Sequence, residues 1–141
     1  MKKNVFITLF AFAMISFSCS SLKNMNSKQL YGSKWELEYI SGPRIAFQGL
    51  YPDRKPQISF NKDSQKVEGN NSCNGYSASY TLDGKAISFS DPISTTMMFC
   101  GQGEQVFLYT IKKVNRFNID TEGKLNLLIN DVSMMRFKKT E

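Results

Sequence analysis

The sequence predicts a mainly β fold: a small, partly closed antiparallel β-barrel of seven or eight strands with one amphipathic helix packed on it. Three observations lead there. Apolar residues alternate with polar ones in a series of short runs, which is the pattern of half-buried antiparallel strands with one wet face. Turn residues separate those runs. A single segment breaks to spacings of three and four, the helical period. At 141 residues the chain suits one domain with its own core.

In chain order, Trp35, Leu37 and Tyr39 alternate with Glu36 and Glu38. Ile58 and Phe60 alternate with Gln57 and Ser59, and Tyr76, Ala78, Tyr80 and Leu82 continue the pattern after a cluster of asparagines. Asp83-Gly84 then marks a hairpin into Ile87 and Phe89. A helix is expected over 103–114, where Val106, Phe107, Thr110, Ile111 and Val114 share one face, with Glu104 early and Lys112 and Lys113 late, as the helix dipole favours. Phe117 and Ile119, then Leu125, Leu127 and Ile129, then Met135 and Phe137 form a closing meander. Thr121-Glu122-Gly123 and Asn130-Asp131 connect its strands. The long irregular stretch 42–56 is apolar for a loop, and reads either as a plug over one end of the barrel or as a lid.

The first residues stand apart. Lys2 and Lys3 precede an apolar run from Val5 to Ser18, the length of a signal-peptide core and short of the roughly 20 residues that span a bilayer. Cys19, between Ser18 and Ser20, resembles the cysteine of a bacterial lipobox, although Ser16 and Phe17 depart from the usual residues. A plain signal peptide cut near Ser18 to Ser21 is the alternative. The expected organisation is a lipoprotein signal peptide at 1–18, a lipidated Cys19 and tether at 19–31, and a folded domain at 32–141. The protein would then sit in a bacterial cell envelope, anchored in a membrane and facing the periplasm or residing in the outer membrane.

The formal charge is +6. Loss of Lys2 and Lys3 with the signal peptide leaves 16 basic against 12 acidic residues. The charges are scattered, without the basic stripe and exposed aromatics of a nucleic-acid binder, so no nucleic acid is expected. The chain has no histidine, which removes Ser-His-Asp and Cys-His catalysis and imidazole metal sites. Neither an enzymatic activity, a metal nor another cofactor is expected. With Cys19 assigned to the anchor, Cys73 and Cys100 remain, an even number that suits a disulfide in an oxidising compartment. Asn71 and Asn74 beside Cys73 are read as residues that satisfy backbone groups or take unusual φ values in a tight turn. Met97, Met98 and Phe99 suit either an apolar groove or a core.

These residues together resemble the META domain family, which includes HslJ-like heat-shock lipoproteins. The resemblance runs through Trp35 and Leu37, Ile58 and Phe60, then Gly69, Cys73, Asn74, Tyr76 and Tyr80. It continues through Thr96, Met98, Cys100, Glu104 and Phe107 to Leu125, Leu127 and Phe137. Ala78 stands where the family commonly has glycine, and Phe99 where a small residue is common. The resemblance implies a small β-rich domain, secreted or membrane-anchored, with no established reaction and with links to heat-shock response, novobiocin resistance and motility or virulence. It also implies a Cys73–Cys100 disulfide, and a fold similar to a type III secretion pilot lipoprotein that holds lipid in a cleft. The expected function is a non-enzymatic, stress-protective or binding module of the envelope. The alternative is a pilot-like chaperone for lipid or hydrophobic peptide, with Phe47, Tyr51, Met97, Met98 and Phe99 lining the groove. Its expected partners are the membrane, through the N-terminal lipid, and a lipid or envelope protein; a monomer is expected.

Overall fold

The structure, a computed structural model, describes residues 28–94, 96–99 and 101–140. The expected signal peptide, Cys19, the tether as far as residue 27, and Cys100 lie outside the described residues. In chain order the elements are β1 (Lys34–Ile40), α1 (Phe47–Leu50), β2 (Gln57–Asn61), β3 (Lys66–Asn70), β4 (Gly75–Asp83), β5 (Ala86–Phe89) and β6 (Ile93–Ser94). They continue with α2 (Gly101–Ile111), β7 (Arg116–Ile119), β8 (Leu125–Ile129) and β9 (Val132–Thr140).

All the pairings between these strands are antiparallel. Followed around, they run β1–β2–β3–β4–β5–β7–β8–β9 and back to β1, a ring of eight strands, with the two-residue β6 laid beside β4. The ring is drawn shut unevenly. β1 and β9 share six register pairs, whereas β5 and β7 meet only at Ala86 and Arg116. Two backbone bonds hold that seam, Ile87 N to Asn115 O at 3.1 Å and Phe117 N to Lys85 O at 3.0 Å.

The alternating residues fill the ring. Trp35, Leu37, Ile58, Phe60, Val67, Tyr76, Ala78, Tyr80, Ile87, Phe117, Leu125, Leu127, Met135 and Phe137 are buried. Each large one contributes roughly 1.5–3 kcal/mol of transfer free energy. The outer wall carries charge pairs across β1, β8 and β9, with Glu38 bridged by Arg136 Nε at 2.7 Å and Lys124 Nζ at 3.0 Å. Glu38 and Lys124 are half-buried, but such surface pairs add little individually.

Four departures from the sequence reading have local causes. Tyr39, in phase with Trp35 and Leu37, is 45% exposed while Ile40 is buried. The β1–β9 register shifts between Leu37 and Tyr39, and one extra residue in a strand exchanges its faces beyond that point. β3 shows no apolar alternation in the sequence because it offers one deep apolar residue, Val67. Two positions on stands Gly69, where a Cβ would lie 1.9 Å from the Gln57 carbonyl oxygen. α2 begins at Gly101 and ends at Ile111, ahead of the expected 114. Beyond it, Lys113 N bonds Thr110 O at 3.0 Å and Val114 N bonds Ile111 O at 3.4 Å, a tightening that closes the helix. Residues 28–31, expected as tether, join the fold: Leu30 is fully buried, its carbonyl accepts from Trp35 Nε1 at 3.1 Å, and Tyr31 bridges Phe60.

The 42–56 segment folds against α2. Leu50 and Tyr51 are buried, and Tyr51 donates its hydroxyl to Gly103 O at 3.0 Å. Burial pushes the Tyr51 phenol well above its ordinary pKa, so it stays a donor. Gly103 is required for that contact, since a Cβ there would lie 2.3 Å from the Leu50 carbonyl oxygen. Val106 is half-buried and Phe107, Thr110, Ile111 and Val114 are buried, so the expected helix face is the one that packs.

Candidate functional site

Asn70 pairs with Gly75 across β3 and β4, so residues 71–74 form the turn at that end of the ring. Ser72 takes the positive φ in this turn, 108°, a conformation uncommon outside glycine. Asn71 and Asn74 close it: Asn71 N donates to Asn74 O at 2.9 Å, and Asn74 N donates to Asn71 Oδ1 at 3.0 Å. Both asparagines are almost completely buried.

Their side chains then reach two other elements. Asn71 Nδ2 donates to Glu104 Oε1 at 2.7 Å, and Asn74 Nδ2 lies 3.0 Å from each Glu104 oxygen. This couples the turn to the first turn of α2. Asn74 Nδ2 also donates to Met98 O at 2.8 Å, while Asn74 Oδ1 accepts from Met98 N at 2.9 Å and from Thr96 Oγ1 at 2.8 Å. A carboxamide has two N–H donors and two acceptor lone pairs. That inventory is used in full, with one N–H shared across the carboxylate. Asn74 thus grips both backbone groups of Met98, as a neighbouring strand would.

The consequence is a tip held from beneath and bare above. Met97 and Phe99 are each 97% exposed and Met98 is 60% exposed. Isolated exposed apolar residues are ordinary, but a contiguous large patch signals a contact surface. Beside Phe99 lies a depression of about 460 Å³ lined by Leu50, Pro52, Asp53, Arg54, Ser72 and Cys73. It offers apolar walls, both signs of charge and a hydroxyl. Cys73 is not a free thiol.

Of the residues expected to line a groove, the structure places Met97, Met98 and Phe99 together on this exposed tip. Tyr51 is part of the core, and its half-buried neighbour Phe47 packs on it with ring centroids 5.1 Å apart. The asparagines do more than shape a turn. Glu104, read from the sequence only for its place near the helix start and in the family pattern, is the anion on which both converge. No local signal in the chain marks that role, because its partners lie 30 and 33 residues away.

A second hollow, about 370 Å³ and mostly apolar, lies between α2 and the ends of β1, β8 and β9. Pro43, Val106, Tyr109, Ile129 and Met134 line it, with Lys113 at its edge over the Tyr109 ring. Among the described residues, no cluster of three or more His, Cys, Asp or Glu could hold a metal ion. Nor is any helix among them long and apolar enough to cross a membrane.

Comparison with known proteins gives two positive findings. The model of the META domain family matches residues 28–141. The NMR structure of a protein from Burkholderia xenovorans superposes with a TM-score of 0.60 at 21% identity, over 81% of this chain and 86% of that one. At that identity the likeness is one of fold. No curated protein matches the chain.

Proposed function

This chain belongs to the META domain family, and on that premise we propose that it is a non-catalytic, lipid-anchored module of a bacterial cell envelope. In this reading its Met97–Phe99 tip holds extended apolar segments of other envelope proteins, a stress-protective task. One observation carries the proposal: two large apolar side chains are 97% exposed on a segment whose backbone is gripped by buried Asn74. A segment ordered before its partner arrives avoids the entropy of ordering on binding. The neighbouring depression favours a peptide over an acyl chain. Its Asp53, Arg54 and Ser72 can serve backbone and polar groups that hydrocarbon lacks.

The remaining parts follow the same reading. Residues 1–18 direct export, Cys19 carries the lipid, and Cys73 pairs with Cys100 to fix the tip from its other side. Catalysis is not part of the proposal: histidine is absent from the chain, and both oxygens of Glu104 are engaged by asparagine amides. A lipid-carrying reading has the apolar hollow by Tyr109 and Met134 in its favour.

The test is fluorescence anisotropy of a labelled, reduced and alkylated model protein that cannot fold. The full-length protein is expected to bind it. Met97→Ser/Phe99→Ser should weaken binding by about 10- to 100-fold, the equivalent of one well-buried side chain. Tyr109→Ser/Met134→Ser should leave it unchanged. Equal binding by the tip variant would refute the proposal, and a loss confined to the Tyr109/Met134 variant would move the polypeptide to the second hollow.

A further inference from the structure

The methionines among the described residues divide sharply by exposure. Met135 is fully buried and Met134 half-buried beneath the second hollow, whereas Met98 is 60% and Met97 97% exposed. The two exposed ones are adjacent and sit on the tip to which binding is assigned above. We propose that Met97 and Met98 form an oxidation site that switches the tip off, with a hydroperoxide as the oxidant. This inference rests on the tip reading.

The chemistry is a two-electron oxygen transfer. The thioether sulfur attacks the terminal oxygen of the hydroperoxide; the S–O bond forms, the O–O bond breaks, and hydrogen peroxide is reduced to water as the sulfide becomes a sulfoxide. Reductases reverse the step with two thiols, which become a disulfide as the oxygen leaves as water. The product is polar where the thioether was apolar, so an apolar contact surface loses its character.

Two features make this a switch rather than a lesion. Asn74 holds Met98 by its backbone N–H and carbonyl, so an oxygen on sulfur leaves those two bonds in place. The same grip keeps the sulfurs outside, because the segment cannot turn its methionines inward without breaking it. Oxidation of Met135, by contrast, places a polar oxygen on a fully buried side chain inside the packed ring, which costs stability.

The experiment treats the full-length protein, in detergent, with graded hydrogen peroxide. Peptide mass mapping, the melting temperature and anisotropy with the unfolded probe are then read in parallel. Met97 should gain oxygen about tenfold or more faster than Met135, whose sulfur must await opening of the fold. The melting temperature should hold while Met97 is converted, and probe binding should fall to the level of Met97→Ser/Phe99→Ser. Met97→Leu/Met98→Leu should bind before and after peroxide alike. Equal oxidation of Met97 and Met135, or unchanged binding by selectively oxidised protein, would overturn the switch. Undiminished binding by unoxidised Met97→Ser/Phe99→Ser would instead overturn the tip reading, and the switch with it.

Discussion

Asn74→Ala removes the side chain on which the tip depends. Three of its bonds are neutral, to Met98 N, Met98 O and Thr96 Oγ1, and one donor serves the Glu104 carboxylate. At about 1 kcal/mol net for each neutral bond and about 2 kcal/mol for the charged one, the simple total is near 5 kcal/mol. These bonds share partners and do not add independently. Water can also reach half-buried Glu104 and the 60% exposed Met98, so the expected loss is about 3 kcal/mol. That is a large part of the 5–15 kcal/mol typical of a domain. With a urea m-value of about 2 kcal/mol/M, the midpoint should fall by about 1.5 M. Hydrogen exchange supplies the local readout: the Met98 amide, protected in the wild type by Asn74 Oδ1, should exchange far faster in the variant even where the β-strand amides remain protected. A midpoint shift below about 0.3 M, or unchanged Met98 protection, would refute the claim that Asn74 pins the tip.

Gly103→Ala should destabilise by roughly 2–3 kcal/mol despite a gain in helix propensity of about 1 kcal/mol, because its Cβ meets the Leu50 carbonyl; a raised midpoint would contradict that contact. Tyr76→Phe should be neutral or stabilise by about 1 kcal/mol, since the buried Tyr76 hydroxyl has no hydrogen-bond partner among the described residues; a loss above about 1 kcal/mol would reveal a partner. Dithiothreitol should lower the melting temperature by removing about 3–4 kcal/mol of chain-entropy stabilisation, the effect of a Cys73–Cys100 bond; an unchanged midpoint would exclude it. Burial raises the Asp120 pKa, but hydrogen bonds from the Lys124 and Glu122 amides and the Asn126 side chain outweigh it and hold the carboxyl below its usual range. Its contribution is therefore present above about pH 4, the unfolded carboxyl value, and lost as pH falls through the lower folded value. Asp120→Ala should flatten that part of the acid denaturation curve.

Period-two alternation made the fold class legible, because a ring buries one face of nearly every strand. It failed where the backbone changes phase or the side chain disappears. Tyr39 lies beyond a bulge that only the β9 register reveals. Gly69 leaves β3 without an apolar repeat because the Gln57 backbone occupies the place of a side chain. The site was half legible. Met97-Met98-Phe99 is visible as an apolar run, but a run of that length fits a core as well as a surface. Its exposure is decided by Asn74, whose pairing with Met98 spans 24 residues. Buried Asn71 and Asn74 look like ordinary turn residues in one dimension, and Glu104 like an ordinary first-turn acid. Their meeting is a product of closure, since the β3–β4 turn and the start of α2 adjoin only in the folded ring.

If the exposed, pinned tip is the binding surface, amide NMR of the isotope-labelled protein, titrated with the unfolded probe, should show chemical-shift changes concentrated at Met97 to Phe99 and at the Leu50 to Arg54 side of the depression. Changes concentrated instead at Gly42, Tyr109 and Met134, with the tip unmoved, would contradict it.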